Sequence, residues 1–283
     1  MIVHGKTCIV TGASSGIGKE TAIALAAAGA RVAVVCRTRE KGERALAEIG
    51  RRAPGAAVSL FVADLGSLRA VRGLAAELTA ALPRIDVLVN NAGLTLRERV
   101  VTAEGLETTF AVNHLAYFLL TRLLWPRLVA SAPARVVNVA SDAHRMGTLR
   151  FDDLMGARGY DGWRAYAQSK LANIVFTYEL ARRLDGTGVT ANCLHPGVVS
   201  TGFANAGPTV IRVLSRIGRP FMRSPARGAE TSIYLASSPA VAGVSGRYFV
   251  DQRERRSSRR SYDPPAATRL WQVSEELTAD YVA

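Results

Sequence analysis

Short runs of apolar, often β-branched residues recur along this chain. Between them lie segments whose apolar positions repeat every three to four residues. The runs are Thr7–Val10, Arg31–Cys36, Ala57–Ala63, Asp86–Val89, Arg135–Ala140, Gly188–Leu194 and Gly246–Val250, and they read as buried strands. Helical patterns cover Lys19–Ala28, Arg39–Arg52, Leu68–Leu82, Glu104–Val129, a stretch from Tyr166 to about Leu184, Val210–Ile217, Pro225–Ala236 and Pro264–Leu277. Gly29 stops the first helix and Pro264-Pro265 starts the last. Asp142 to Gly162 is polar and loop-like. Strands alternating with helices predict a mostly parallel sheet covered on both faces.

Between the first strand and the first helix stands Thr11-Gly12-Ala13-Ser14-Ser15-Gly16-Ile17-Gly18. Strand, glycine-rich turn, helix and strand in about thirty residues make a dinucleotide-binding unit. Glycines permit a tight turn and a close approach of the backbone to a pyrophosphate, and the helix N-terminus offers free N–H groups. The spacing is G-x-x-x-G-x-G, and a glycine-rich loop without a ligand is the competing reading. At the end of the second strand, where a carboxylate would hold the ribose of NAD, Arg37 follows Cys36. A guanidinium there can pair with a 2′-phosphate, which predicts NADP over NAD; one surface arginine among many is the alternative. Asp64 and Leu65 end the third strand, where the carboxylate can accept from an adenine amino group or help Ser67 start a helix. Asn91, Ala92 and Gly93 form a small-residue turn after the fourth strand, another place where backbone can approach a cofactor.

Tyr166 and Lys170 carry the candidate chemistry. Four apart on a helix, they share one face. A phenol is a poor proton carrier near neutral pH, and an ammonium one turn away favours its phenolate. The tyrosine becomes a usable acid or base. Alone, the pair is also what an ordinary helix with one aromatic and one solvated lysine would show. Ser141 stands at the C-terminal end of the fifth strand, where open parallel sheets place their ligands; a loop or cap serine is the competing reading. Asn113 falls inside a long helical pattern, where an asparagine can compete for backbone groups and distort the helix. His195 precedes Pro196 and reads as structural. Thr201 can reach the amide end or the phosphates of a cofactor.

Composition adds limits. At 283 residues and 48% hydrophobic the chain can bury one large α/β core. No apolar run is long enough to cross a bilayer. Met1–Lys6 leads straight into a strand without signal-peptide architecture, so the expected location is the cytoplasm. Cys8, Cys36 and Cys193 all fall in apolar runs, and the odd number argues for buried thiols over a disulfide framework or a metal site. The net charge of +13 could attract anions, but the one dense cluster, Arg253 to Arg260, reads as a solvated surface loop. Contact with an anionic membrane surface is the lesser reading of that cluster. Nucleic acid is lesser still, because no helix or aromatic array accompanies it.

These motifs, in this order and along essentially the whole chain, resemble the short-chain dehydrogenase/reductase family. The likeness rests on Thr11-Gly12 with Gly16-Ile17-Gly18, Asn90-Asn91-Ala92-Gly93, Asn113, Ser141, Tyr166 with Lys170, and Pro196-Gly197. Within the family it is closest to the retinol dehydrogenase subgroup, through Cys36-Arg37, Val112-Asn113-His114, Ser169-Lys170-Leu171-Ala172-Asn173 and His195-Pro196-Gly197-Val198-Val199. The resemblance implies that Tyr166 exchanges a proton with the substrate oxygen and that Lys170 lowers its pKa and holds the ribose. It implies that Ser141 binds the substrate oxygen and that Asn113 holds a water linking Lys170 to solvent. Gly12, Ser14, Ser15, Gly16, Ile17, Gly18, Pro196, Gly197, Val199 and Thr201 would line the nucleotide. Ser141 and Tyr166 are 25 residues apart, about twice the family's usual gap, a feature the subgroup shares. The long helices holding Asn113 and Tyr166 allow a symmetric dimer.

The expected fold is one doubly wound domain over 1–283 with a seven-stranded parallel sheet, order 3-2-1-4-5-6-7. Its nucleotide-binding part covers about 1–140 and its catalytic part the remainder, with an apolar substrate lid at about 202–225. The expected activity is hydride transfer between NADP(H) and the carbonyl or alcohol of a mostly apolar small molecule. A non-catalytic NADP(H) sensor on the same fold is the rival, and an intact Tyr166–Lys170 pair argues against it.

Overall fold

In the computed structural model, residues 1–198 and 223–282 are described. Val199, Thr201, the Val210–Ile217 pattern and nearly all of the expected 202–225 lid lie outside them.

The strands are β1 (Thr7–Thr11), β2 (Arg31–Cys36), β3 (Val58–Val62), β4 (Val87–Asn90), β5 (Ala134–Val139), β6 (Val189–His195), β7 (Tyr248–Val250) and β8 (Arg253–Arg255). They form one sheet in the order β3-β2-β1-β4-β5-β6-β7-β8. The first seven are parallel, as expected, and β8 adds an antiparallel edge through Tyr248↔Arg255 and Val250↔Arg253. The helices are α1 (Gly16–Ala27), α2 (Arg39–Arg52), α3 (Leu68–Ala81), a short α4 (Thr108–Phe110), α5 (Ala116–Ala130), α6 (Gly162–Arg183), α7 (Pro225–Ser237) and α8 (Pro264–Thr278).

Alternation along each strand explains why the sheet takes helices on both faces. Ile9, Ala33, Val35, Leu88 and Val136 pack with α3, α5, α6 and α8. Their neighbours Cys8, Val10, Val32, Val34, Val87, Val89 and Val137 pack with α1, α2 and α7. The thiols of Cys8, Cys36 and Cys193 are free and buried among these apolar groups, which pushes Cys8 up to about 12 and Cys36 to about 11.

At the far end of the chain Trp271 of α8 is only 2% exposed. Its ring meets Phe118 of α5 at 5.0 Å and Phe176 of α6 at 5.9 Å, and the Arg183 guanidinium lies 4.1 Å from its centroid.

Three expected elements differ. The helix expected from Glu104 starts at Thr108, because Glu107 caps it: its carboxylate accepts from Thr109 N at 2.8 Å and Phe110 N at 2.7 Å. Between α4 and α5 the backbone widens into a π turn, Ala111–Leu115, centred on Asn113. The arginine cluster expected as a loop begins as β8, whose three side chains are all exposed. Charge on an exposed edge strand discourages further pairing.

Among the described residues no helix is long and apolar enough to cross a membrane. The described residues stop at Val198 and resume at Arg223. There Arg223 N donates to Val198 O at 2.8 Å, and the Arg223 guanidinium is ion-paired with Asp251, one of its bonds measuring 3.0 Å.

Candidate active site

Parallel strands bring the turns after β1, β4, β5 and β6 to one edge of the sheet, and the candidate residues gather there. The glycine turn after β1 has the geometry its sequence requires. Gly12 and Gly16 adopt φ of +67° and +59°, which side-chain-bearing residues avoid. A Cβ on Gly12 would lie 2.8 Å from Ala92 Cα, and one on Gly18 would collide with Asn91 and, at 2.6 Å, with Gly12 O. Ser15 is the N-cap of α1, yet its side chain makes no capping bond, and the first turn of α1 holds no acidic residue. An uncapped, twelve-residue helix start at the bottom of a glycine cradle suits an anion. Ser14 and Ile17 flank it. These residues fit the pyrophosphate of a dinucleotide.

Thr11, absent from the expected set, ties this cradle together. Its hydroxyl accepts from Asn91 N at 2.9 Å and Ala92 N at 3.1 Å. Asn91 in turn donates its amide to Thr11 O at 2.8 Å. Its side chain therefore fastens β4 to β1. A threonine directly before the first glycine was the available signal. Ala13 N donates to Val35 O at 3.2 Å, so the turn runs beside the end of β2, where Arg37 emerges exposed. Asp64 is exposed; its Oδ1 accepts from Gly66 N at 2.9 Å, while Ser67 caps α3. Leu65 is buried under it. Pro196 and Gly197 follow β6, and Gly197 has φ +86° with the Arg223 side chain 2.6 Å from where a Cβ would stand.

The four expected catalytic residues converge. Tyr166 and Lys170 are buried on one face of α6 with 8% and 3% exposure, and Lys170 Nζ lies 5.7 Å from the Tyr166 ring centroid. The Ser141 hydroxyl sits near enough to that of Tyr166 to favour its phenolate, and it accepts from Ala143 N at 3.2 Å. Lys170 Nζ donates to Val139 O at 3.0 Å, and the Tyr117 ring lies on its other side at 5.9 Å. Gly93 separates Lys170 from Asn113: a Cβ there would be 3.4 Å from Lys170 Nζ and 3.3 Å from Asn113 Oδ1.

Asn113 Nδ2 donates to Leu94 O at 2.9 Å and Ser169 Oγ at 3.0 Å, and its Oδ1 accepts from Leu94 N at 2.8 Å. The amide thus clamps the β4 turn to α6. A π turn supplies the wider backbone on which that side chain projects.

The electrostatics depart from the sequence expectation. Burial pushes the Tyr166 phenol up to about 12, partly offset by the nearby Ser141 hydroxyl. Burial likewise pushes the Lys170 ammonium down to about 7. Desolvation outweighs the expected attraction between the two groups, since both charged forms lose water on the same helix face. Because the folded chain holds the Lys170 proton less tightly than the unfolded chain does, that group costs stability at low pH. The cost fades as pH rises from about 7 toward 10.5.

A polar ladder also escaped the sequence reading. Asn90 Nδ2 donates to Thr121 Oγ1 at 3.1 Å and Asn138 Oδ1 at 2.9 Å, and Asn138 Nδ2 donates to Thr177 Oγ1 at 3.0 Å. It links β4 and β5 to α5 and α6 beneath the site. Asn138 inside an apolar strand was its only sequence signal. His195, expected to be structural, accepts at its Nδ1 from Asp142 N at 3.2 Å. A cavity of about 370 Å³ opens beside the 142–162 segment, lined by Glu107, Arg150, Asp153, Tyr160, Arg164 and Gln168 among others. None of the four converging residues lines it, so it is separate from the candidate catalytic centre.

Known proteins resemble this chain along nearly its whole length. Human retinol dehydrogenase 14 is 45% identical over 98% of this chain and 87% of its own length. Mouse retinol dehydrogenase 12 is 44% identical over 97% of this chain and 87% of its own. A crystal structure of an uncharacterized protein from Mycobacterium Paratuberculosis superposes with a TM-score of 0.80 at 34% identity, covering 98% of this chain and 95% of that one. One from Beutenbergia cavernae, provisionally described as an NAD(P) dependent gluconate 5-dehydrogenase with bound NADP, gives 0.71 at 31% identity over 88% and 96%. The short chain dehydrogenase family itself matches residues 6–209. The chain therefore belongs to the short-chain dehydrogenase/reductase family of oxidoreductases, nearest to its retinol dehydrogenase subgroup.

Proposed function

We propose that this protein reduces the carbonyl, or oxidises the alcohol, of a mostly apolar small molecule with NADP(H). The observation that carries the reading is the meeting of Tyr166 and Ser141 beside buried Lys170, next to a glycine cradle shaped for a dinucleotide. The nicotinamide, when bound, supplies or accepts the hydride. Every other step belongs to the chain. Ser141 holds the substrate oxygen through its hydroxyl. Tyr166, protonated below about pH 12, gives its proton to the oxygen that develops charge on reduction. Lys170 holds a ribose hydroxyl and returns a proton to Tyr166. Asn113, both of whose amide protons are engaged, acts by fixing the turn at Gly93; its Oδ1 can accept a further bond from the relay water.

Apolar substrates are favoured by the named activity of the relatives, retinol being a hydrocarbon chain with one hydroxyl, and by Phe203, Val210, Ile211 and Leu214 in the 202–225 sequence. We assign the work to a single domain over 1–283, in the cytoplasm, with a homodimer as one assembly its long helices allow.

Oxidation of NADPH, with NADH in parallel, against retinal, aliphatic aldehydes, steroids and aromatic polyketides tests the reading. Turnover with NADPH preferred supports it. Tight NADPH binding without turnover on any carbonyl would favour the sensor instead.

Arg37 supplies the cofactor prediction. It is exposed directly after β2, beside the cradle. Exchanging it for aspartate should lower kcat/KM with NADPH relative to NADH by about 10- to 100-fold, the range of a charge-assisted hydrogen bond replaced by repulsion. An unchanged ratio would show that Arg37 does not choose the cofactor.

A further inference from the structure

The turn that carries Ser141 hangs from the C-terminal part of the chain. Ser141 to Met146 leaves β5 as a single 3-10 turn. Ser141 O accepts twice from one residue: from His144 N at 3.0 Å and from the His144 ring at Nδ1, 2.7 Å away. The other ring nitrogen, Nε2, accepts from Ser258 N at 2.9 Å. That bond fixes the tautomer. Nε2 carries no proton, so Nδ1 must, and it donates to Ser141 O. His144 is fully buried, and burial lowers its pKa, in keeping with a neutral ring.

Further contacts hold the same turn. The Tyr248 ring meets the His144 ring edge-on at 5.2 Å, and its hydroxyl donates to Asp142 Oδ1 at 2.9 Å. Arg145 donates to Arg256 O at 3.1 Å, and Arg260 to Gly147 O at 3.0 Å. Part of the arginine cluster thus laces the turn from outside. Of these side chains, the His144 ring is the one bonded to Ser141, whose hydroxyl also accepts from Ala143 N at 3.2 Å within the turn.

We propose that His144 is a positioning residue: by bridging the Ser141 carbonyl to the Ser258 amide, it sets where the Ser141 hydroxyl stands relative to Tyr166. This rests on the reading of Ser141 and Tyr166 as the pair that binds the substrate oxygen. A peptide free to rock about Ser141 would swing Oγ away from the Tyr166 hydroxyl, and small misplacements of such donors cost rate steeply. The segment after β8 is thereby a support of the active site.

The two ring nitrogens can be tested apart. In His144→Asn the side-chain amide replaces Nδ1 and can still donate to Ser141 O, while the Ser258 bond is lost. In His144→Gln the amide reaches the place of Nε2 and keeps Ser258, while the Ser141 bond is lost. His144→Leu loses both. With NADPH and the best aldehyde of the panel, kcat is expected to fall about 10- to 100-fold in the Gln and Leu variants, with the Kd for NADPH unchanged, and to stay within about fivefold in the Asn variant. Equal losses in Asn and Gln, tracking their Tm, would overturn the proposal and leave His144 a packing residue.

A second readout does not need turnover. In protein labelled with 13Cζ-tyrosine, the Tyr166 signal, identified by its absence in Tyr166→Phe, reports the nearby Ser141 hydroxyl. It should move in Ser141→Ala, move the same way in His144→Leu and His144→Gln, and remain near its wild-type place in His144→Asn. A signal that moves in Ser141→Ala but not in His144→Leu overturns the proposal. An inactive wild-type protein would sink the enzyme reading while this spectrum still decides the role of His144.

Discussion

Tyr166→Phe is expected to reduce turnover by at least about a thousandfold while NADPH still binds. The substitution removes one hydroxyl and leaves the ring, which packs against Trp163 at 5.7 Å, in place. On the proposed mechanism the lost group is the proton donor, which burial holds protonated beside Ser141. General acid catalysis is worth about 10²–10⁴ in rate, and loss of the hydroxyl that meets Ser141 adds to that. The wild-type pH dependence should carry the same signature. Oxidation must place a proton on a phenol that is already protonated at neutral pH, so its kcat should rise between pH 6 and 9. Reduction should not rise over that range. Steady-state rates in both directions, with NADPH affinity from fluorescence, measure this. Variant turnover within tenfold of wild type would remove Tyr166 from the mechanism.

Trp271→Ala should bring the largest loss of stability. The ring is enclosed by Phe118, Phe176, Trp125 and Arg183, so truncation opens a cavity between α5, α6 and α8 that the surrounding rings cannot fill. A cost of about 3–5 kcal/mol follows. Trp271→Phe should cost much less, about 1 kcal/mol, because the buried indole N–H has no hydrogen-bond partner among the described residues. Urea unfolding of the three proteins checks both values. A loss below about 1 kcal/mol for the alanine variant would mean that α8 is not anchored by this ring.

What could be read from the sequence, and what could not, divides along physical lines. β1, β2, β4, β5 and β6 were legible because a sheet covered on both faces makes most positions apolar, and Gly12 and Gly16 because positive φ restricts residue type. Tyr166 and Lys170 were legible as neighbours from their spacing, but the direction of their titration was not. Spacing reports distance, whereas desolvation depends on what the rest of the chain lays over the pair. β8 escaped because an exposed edge of arginines carries no hydrophobic period. The ladder through Asn90 and Asn138 and the bridge through His144 escaped because each partner lies far away in sequence. Asn113 was legible as a helix distortion, since the π turn sits on it, but the partners of its amide, Leu94 and Ser169, come only from the fold.

The bond between Val198 and Arg223, with the Arg223–Asp251 ion pair behind it, joins the two described ends on either side of residues 199–222 to each other and to the end of β7. A change at Asp251 therefore acts on two strands at once: it loosens the end of β7 and, through Arg223, the turn after β6 where the Arg223 side chain lies against Gly197.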